Sequence, residues 1–103
     1  MDDNLTKSAF AKCLGTTFVL ARGAETVALE LVEVESLSLG ARNDASFSLV
    51  FRAAGGQYLP QATYRLSNEG MGTIDMFIVP IRRDAGGIYY EAIYNRPPAA
   101  AES

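Results

Sequence analysis

The 103-residue chain contains no histidine and no tryptophan, and its one cysteine is Cys13. Without histidine neither a Ser-His-Asp nor a Cys-His arrangement can be assembled, and the histidine-based zinc motifs are excluded as well. A single cysteine forms no internal disulfide and supplies no thiolate cage. Cys13 therefore reads as a small buried apolar residue in a cytosolic chain, or in one indifferent to redox compartment. Long apolar runs are missing too. The opening "MDDNLTKSAFAKCLG" puts acids first and has no uninterrupted hydrophobic stretch, so it is neither a secretory signal nor a spanning helix. The expectation is a protein that is cytoplasmic at synthesis and has no membrane partner. Basic charge is scarce and scattered, apart from Arg82-Arg83, which beside Asp84 reads as a solvated turn. A formal net charge of −3 gives no basic track for a phosphate backbone, so nucleic acid is not an expected partner.

The residues that remain describe one ordinary globular domain. Hydrophobic residues make up 49% and charged residues 20%, enough apolar surface for a single core without staples. The domain is expected to span residues 1–95, with a short helix over about 5–14, strands over about 16–95, and a flexible tail at 96–103. Asn4 or Thr6 is placed to cap the helix and Gly15 to stop it, with Phe10, Cys13 and Leu14 on one side. "NLT" at Asn4 matches a glycosylation sequon, which without a signal peptide reads as accidental.

After Gly15 the hydrophobic period is two. "TFVLARGAETVALELVEVESLSL" reads as two strands joined by a tight turn at Arg22-Gly23-Ala24-Glu25. Val27, Leu29 and Leu31 share a face, yet Val32 and Val34 take the opposite parity. A β-bulge near Leu31-Val32 lets both sets point inward. "SFSLVFRA" and "QATYRLS" alternate cleanly and read as a hairpin across "AGGQYLP", with Gly55-Gly56 as turn residues. "TIDMFIVPI" and "GIYYEAIYN" make the last hairpin across "RRDAGG". Pro80 removes a ladder donor, which suits an edge or a bulge. The fold expected from these signals is all-β: about six antiparallel strands in a meander, forming a small barrel or a two-layer sandwich, with one short N-terminal helix.

In the last hairpin, Asp75 and Glu91 set the parity, because an unpaired buried carboxylate is costly. With both outward, Ile74, Met76, Ile78, Ile88, Tyr90, Ala92 and Tyr94 face the core. Phe77, Val79, Ile81, Tyr89 and Ile93 are then left on a side that ought to be wet.

No motif encodes a reaction. Glu33 and Glu35 are same-face neighbours that could hold a divalent ion weakly, but a metal site needs further oxygen ligands from elsewhere, and the expected reading is a solvated strand face that also discourages edge aggregation. Glu91 as a general acid needs a pocket that sequence does not display. Catalytic, cofactor and metal residues are therefore all expected to be absent. A tyrosine-rich strand on a small barrel also fits a base-stacking platform, but Glu91 and Asp75 give that strand pair the wrong charge.

The ordered succession "FAKCLGTTFVL", "ALELVEV", "FSLVFRA", "YLPQATYRL", "MFIVPI" and "YYEAIYN" resembles a small bacterial family known only as a domain of unknown function. Its members show an F…LG…F start, L.L.EV, F.L.F, LPQ.TY, F.VP and a closing YEA.[FY]N. The match runs from Phe10 to Asn95 and departs at "NEGMGT", where members tend to carry a histidine-containing acidic turn. Genes of this family often lie beside phage-tail-collar-type genes. The resemblance implies a tail-like or secreted-fibre setting and assigns no catalytic residue.

Two functional expectations follow. The first is a non-enzymatic structural or accessory protein that contacts another subunit, or a second copy of itself, through Phe77, Val79, Tyr89 and Ile93. Internal burial of that face, under the helix through Phe10 and Leu14 or under an opposing sheet, competes with it. The second is a carrier of an apolar ligand whose cavity is lined by Phe47, Phe51, Tyr64, Tyr90 and Tyr94. Six-stranded barrels are normally filled by their own side chains.

Overall fold

The computed structural model describes residues 7–36, 46–54 and 58–95. The expected caps at Asn4 or Thr6, the Gly55-Gly56 turn and the tail from 96 to 103 lie outside them. The elements are α1 (Lys7–Ala11), β1 (Thr17–Arg22), β2 (Glu25–Ser36), β3 (Ser46–Ala53), β4 (Ala62–Asn68), β5 (Gly72–Asp84) and β6 (Gly87–Asn95). All strand pairs are antiparallel, and the sheet closes as a barrel in the order β1-β2-β3-β6-β5-β4. The expected all-β fold is therefore a barrel and not a sandwich.

One expected pairing is corrected. β3 and β4 do not form a hairpin: β3 lies between β2 and β6, and β4 between β1 and β5. Ahead of β4, Leu59 is fully buried at the end of the barrel and its amide donates to the Tyr90 hydroxyl at 2.9 Å. Leu59 thereby seals that end, and β4 begins on the far side. The seam that closes the barrel, β1 to β4, is short, with Val19 opposite Ser67 and Leu20 opposite Leu66.

α1 seals the other end. Phe10 is fully buried, with its ring centroid 5.8 Å from that of Phe47, 5.5 Å from Tyr94 and 6.5 Å from Phe18. A five-residue helix is not stable alone, so this anchor holds it. The helix is shorter than the sequence suggests. Residues 12–15 form turns, so Cys13 is buried as expected while Leu14 is 46% exposed. Gly15, at φ 85°, aims its amide at the Leu31 carbonyl 2.8 Å away.

The bulge on β2 falls where parity requires it. Leu31 pairs with Phe51, Glu33 pairs with Val50, and Val32 is the extra residue between them. Leu31 is fully buried, Val34 packs against the core, and Glu33 and Glu35 point outward. A second bulge sits on β5 between Pro80 and Arg82, which accommodates the missing proline donor in a sheet without edges. Arg82 and Arg83 accordingly belong to β5, paired with Tyr89 and Ile88, and not to a turn. The turn is Ala85-Gly86, stabilised by the Gly86 amide donating to Asp84 Oδ1 at 2.7 Å.

Candidate functional site

Antiparallel register stacks outward side chains into rows across the barrel wall. One row runs Glu30, Arg52, Tyr89, Arg82, and the next runs Glu33, Val50, Glu91, Val79. A third brings Glu35, Ser48 and Ile93 together. Phe77 stands on the outer side of β5, opposite Thr63 of β4.

The four residues of the expected contact face all lie on the outer side of the β5–β6 hairpin, alternating with buried Ile78, Ile88, Tyr90 and Ala92. They are not equally open. Phe77 is 51% and Ile93 53% exposed, whereas Val79 and Tyr89 are half-buried. Tyr89 is covered by the Arg82 guanidinium, whose carbon lies 4.0 Å from the ring centroid. Ile81, the unpaired bulge residue, adds a further 40%-exposed side chain. Among the described residues neither competing cover lies on this face: α1 sends Phe10 into the barrel interior and leaves Leu14 exposed, and the single closed sheet has no opposing layer.

The rim toward β2 is acidic. The Glu33 carboxyl is held above the ordinary glutamate range, first by a hydrogen bond with Glu35, then by partial desolvation and the Glu35 charge, with Arg82 opposing and Glu91 adding. In the neighbouring row, Arg52 Nη2 donates to Glu30 Oε1 at 2.6 Å and Arg52 Nη1 to the Gly86 carbonyl at 3.3 Å. Across the β4 side of the face, Arg65 Nε donates to Asp75 Oδ1 at 2.9 Å and holds that carboxyl below its ordinary range. The result is an outer β5–β6 surface on which Phe77, Val79, Tyr89 and Ile93 surround the Glu91 carboxylate, with Glu33 and Glu35 beyond β3 and the Arg65–Asp75 ion pair toward β4.

The five residues offered as a cavity lining are core or half-core. Phe47, Phe51 and Tyr90 are fully buried, while Tyr64 and Tyr94 are half-buried against the core. Phe47 and Tyr94 stack at 5.1 Å, Phe18 meets the Phe51 edge at 5.3 Å, and the Tyr64 hydroxyl donates to the Pro60 carbonyl at 2.7 Å. Their volume is spent on one another and on the two end plugs.

Sequence reasoning missed Asn68. It is buried at the β4–β5 turn, where Oδ1 accepts from the Gly70 and Met71 amides at 2.8 and 3.1 Å. Nδ2 donates to the Thr17 carbonyl at 3.0 Å and to Thr16 Oγ1 at 3.1 Å. The Cys13 thiol reaches Oδ1 at 3.7 Å, so one amide joins α1's exit, β1 and the β4–β5 turn. The sequence signal was "NEG", an asparagine placed to cap a glycine turn.

Among the described residues, no group of three or more Cys, Asp or Glu side chains is placed to hold a metal ion, and no helix is long and apolar enough to cross a membrane. Searches of curated proteins and of solved structures find no significant match. A family model described as "Domain of unknown function (DUF6916)" matches residues 5–94, nearly the whole chain, and the protein belongs to that family.

Proposed function

We propose that this protein is a non-enzymatic structural or accessory subunit that binds another protein, or a second copy of itself, through the outer face of β5 and β6. The observation that carries the reading is the joint exposure of Phe77 and Ile93, reinforced by Ile81, on a wall whose neighbouring rows are charged. Exposed single hydrophobes are common, but several on one hairpin face make a patch of the kind that marks contacts. Standard protein interfaces carry such an apolar centre within a polar rim. A phage-tail-like or secreted-fibre assembly is the setting this reading favours, on the sequence resemblance described above. The end-plugged, ring-filled interior weighs against a carrier of apolar ligands.

The test is sedimentation velocity of the full chain over a range of concentrations, alone and mixed with the purified products of adjacent genes. A discrete complex supports the reading. A single monomeric species in every mixture counts against it.

A further inference from the structure

The barrel end sealed by Leu59 carries a feature that the apolar strip does not use. Tyr58, Pro80, Arg82, Arg83 and Ile88 line a depression of about 310 Å³. They come from three pieces of chain: the β3–β4 connection, the bulged part of β5, and the start of β6. Ile88 is buried and Pro80 half-buried, which makes an apolar floor, while the Tyr58 ring stands 59% exposed at the wall. Barrel mouths are a recurrent place for small-molecule sites, and this volume lies at the lower end of their range.

The charge there runs against the chain's own balance. Acids outnumber bases by 12 to 9 overall, yet both charged residues lining the depression are arginines. Arg82 is oriented by its stack on Tyr89, which engages the face of the guanidinium and leaves its N–H edge, within electrostatic reach of Glu33, for hydrogen bonding. Among the described residues no hydrogen bond or ion pair engages the Arg83 guanidinium, and the adjacent Asp84 carboxylate accepts from the Gly86 amide.

We infer that this mouth binds a small molecule bearing an oxyanion on an apolar or aromatic body, with the carboxylate or phosphate held by Arg82 and Arg83 and the body packed on Tyr58, Pro80 and Ile88. A planar guanidinium fork matches either oxyanion, and a tyrosine and proline beside it favour a ring over an extended chain. Arg82 touches both places, because it covers Tyr89 of the docking strip, but Arg83 does not. Arg83 pairs with inward-facing Ile88 and lies off that strip, so its replacement leaves Phe77 and Ile93 untouched.

The test is a chemical-shift titration of the isotopically labelled full chain with phenyl phosphate, benzoate, inorganic phosphate and uncharged benzyl alcohol, repeated on Arg83→Gln and Tyr58→Ala. The expected result is saturable shifts at the amides of Tyr58, Arg83 and Ile88 with phenyl phosphate or benzoate, the stronger of the two naming the preferred oxyanion. Benzyl alcohol and inorganic phosphate should bind more weakly. Arg83→Gln should lower the affinity by about tenfold or more, the worth of one charge-assisted hydrogen bond. Tyr58→Ala should also weaken it, and both variants should melt like the parent chain. Absence of saturable shifts, equal binding of inorganic phosphate and phenyl phosphate, or unchanged affinity in both variants would each overturn the inference.

Discussion

Replacing Asn68 with alanine deletes the one side chain that joins α1's exit, the start of β1 and the β4–β5 turn. Three backbone groups lose their partner: the Gly70 and Met71 amides and the Thr17 carbonyl. An intramolecular hydrogen bond contributes about 0.5–1.5 kcal/mol net, and a donor or acceptor left unpaired in a buried place costs about 1–3 kcal/mol. Gly70 and Thr17 are exposed enough for water to replace part of what is lost, so the low end applies to each. Summed over the three groups, the loss is about 2–3 kcal/mol, or roughly 10–20 °C in Tm for a domain of this size. Urea unfolding followed by circular dichroism measures it, with an unchanged slope showing that the denatured state is the same. Asn68→Asp sharpens the test. It keeps the Oδ1 contacts but turns the Nδ2 donor into an oxygen facing the Thr17 carbonyl. A loss under about 0.5 kcal/mol for Asn68→Ala, the range of an ordinary surface change, would refute the assignment of Asn68 as the tie between these segments.

Other expectations follow from the same packing. Gly87 sits at φ 137°, and a Cβ there would overlap the Ala53 carbonyl oxygen, with Ala53 C and Ala54 Cα each 3.0 Å away. Gly87→Ala should therefore cost about 1–3 kcal/mol by thermal denaturation, whereas Gly23→Ala, with nothing near its Cβ, should cost only its φ strain. Phe10→Ala removes the plug at the helix end and should destabilise by about 3–5 kcal/mol, with loss of near-ultraviolet signal from Tyr94. The raised Glu33 carboxyl means the unfolded chain releases that proton more readily than the fold does, so folding stability should fall as pH rises from the ordinary glutamate range through the raised folded value. Glu35→Gln removes the principal charge that opposes Glu33 ionisation and should flatten that slope in a pH series of unfolding midpoints.

Face assignment was legible in the sequence because the period of two and the cost of a buried carboxylate are local rules. Asp75 and Glu91 alone placed Ile74, Met76, Ile78, Tyr90 and Ala92 inside, and the mismatch between Leu31 and Val32 located the first bulge. Strand neighbours were not legible to the same degree. Alternation in "SFSLVFRA" and "QATYRLS" says which side chains point in, but not which strand lies alongside, and that depended on Leu59 filling the barrel end. The same tertiary fact placed Tyr58 beside Pro80 and Arg83, a juxtaposition of residues distant in sequence. Arg82 and Arg83 looked like a turn because charged pairs beside Asp-Ala-Gly usually are. With the bulge at Ile81, β5 instead runs three residues further, to Asp84, so that both arginines pair with β6. Asn68 was readable as a turn former, but its burial came from Thr16 and Thr17 closing over it.

The role of the outer β5–β6 face is tested most directly by the pair Phe77→Thr and Ile93→Thr in one chain, compared with the parent for both unfolding free energy and sedimentation in the presence of its partner or at high protein concentration. Threonine keeps strand propensity and adds no carboxylate beside Glu33 and Glu91. A docking face that is exposed in the single chain predicts unfolding free energy within about 1 kcal/mol of the parent, together with loss of the complex. A double variant that unfolds, or one that stays folded and still forms the complex, would contradict it.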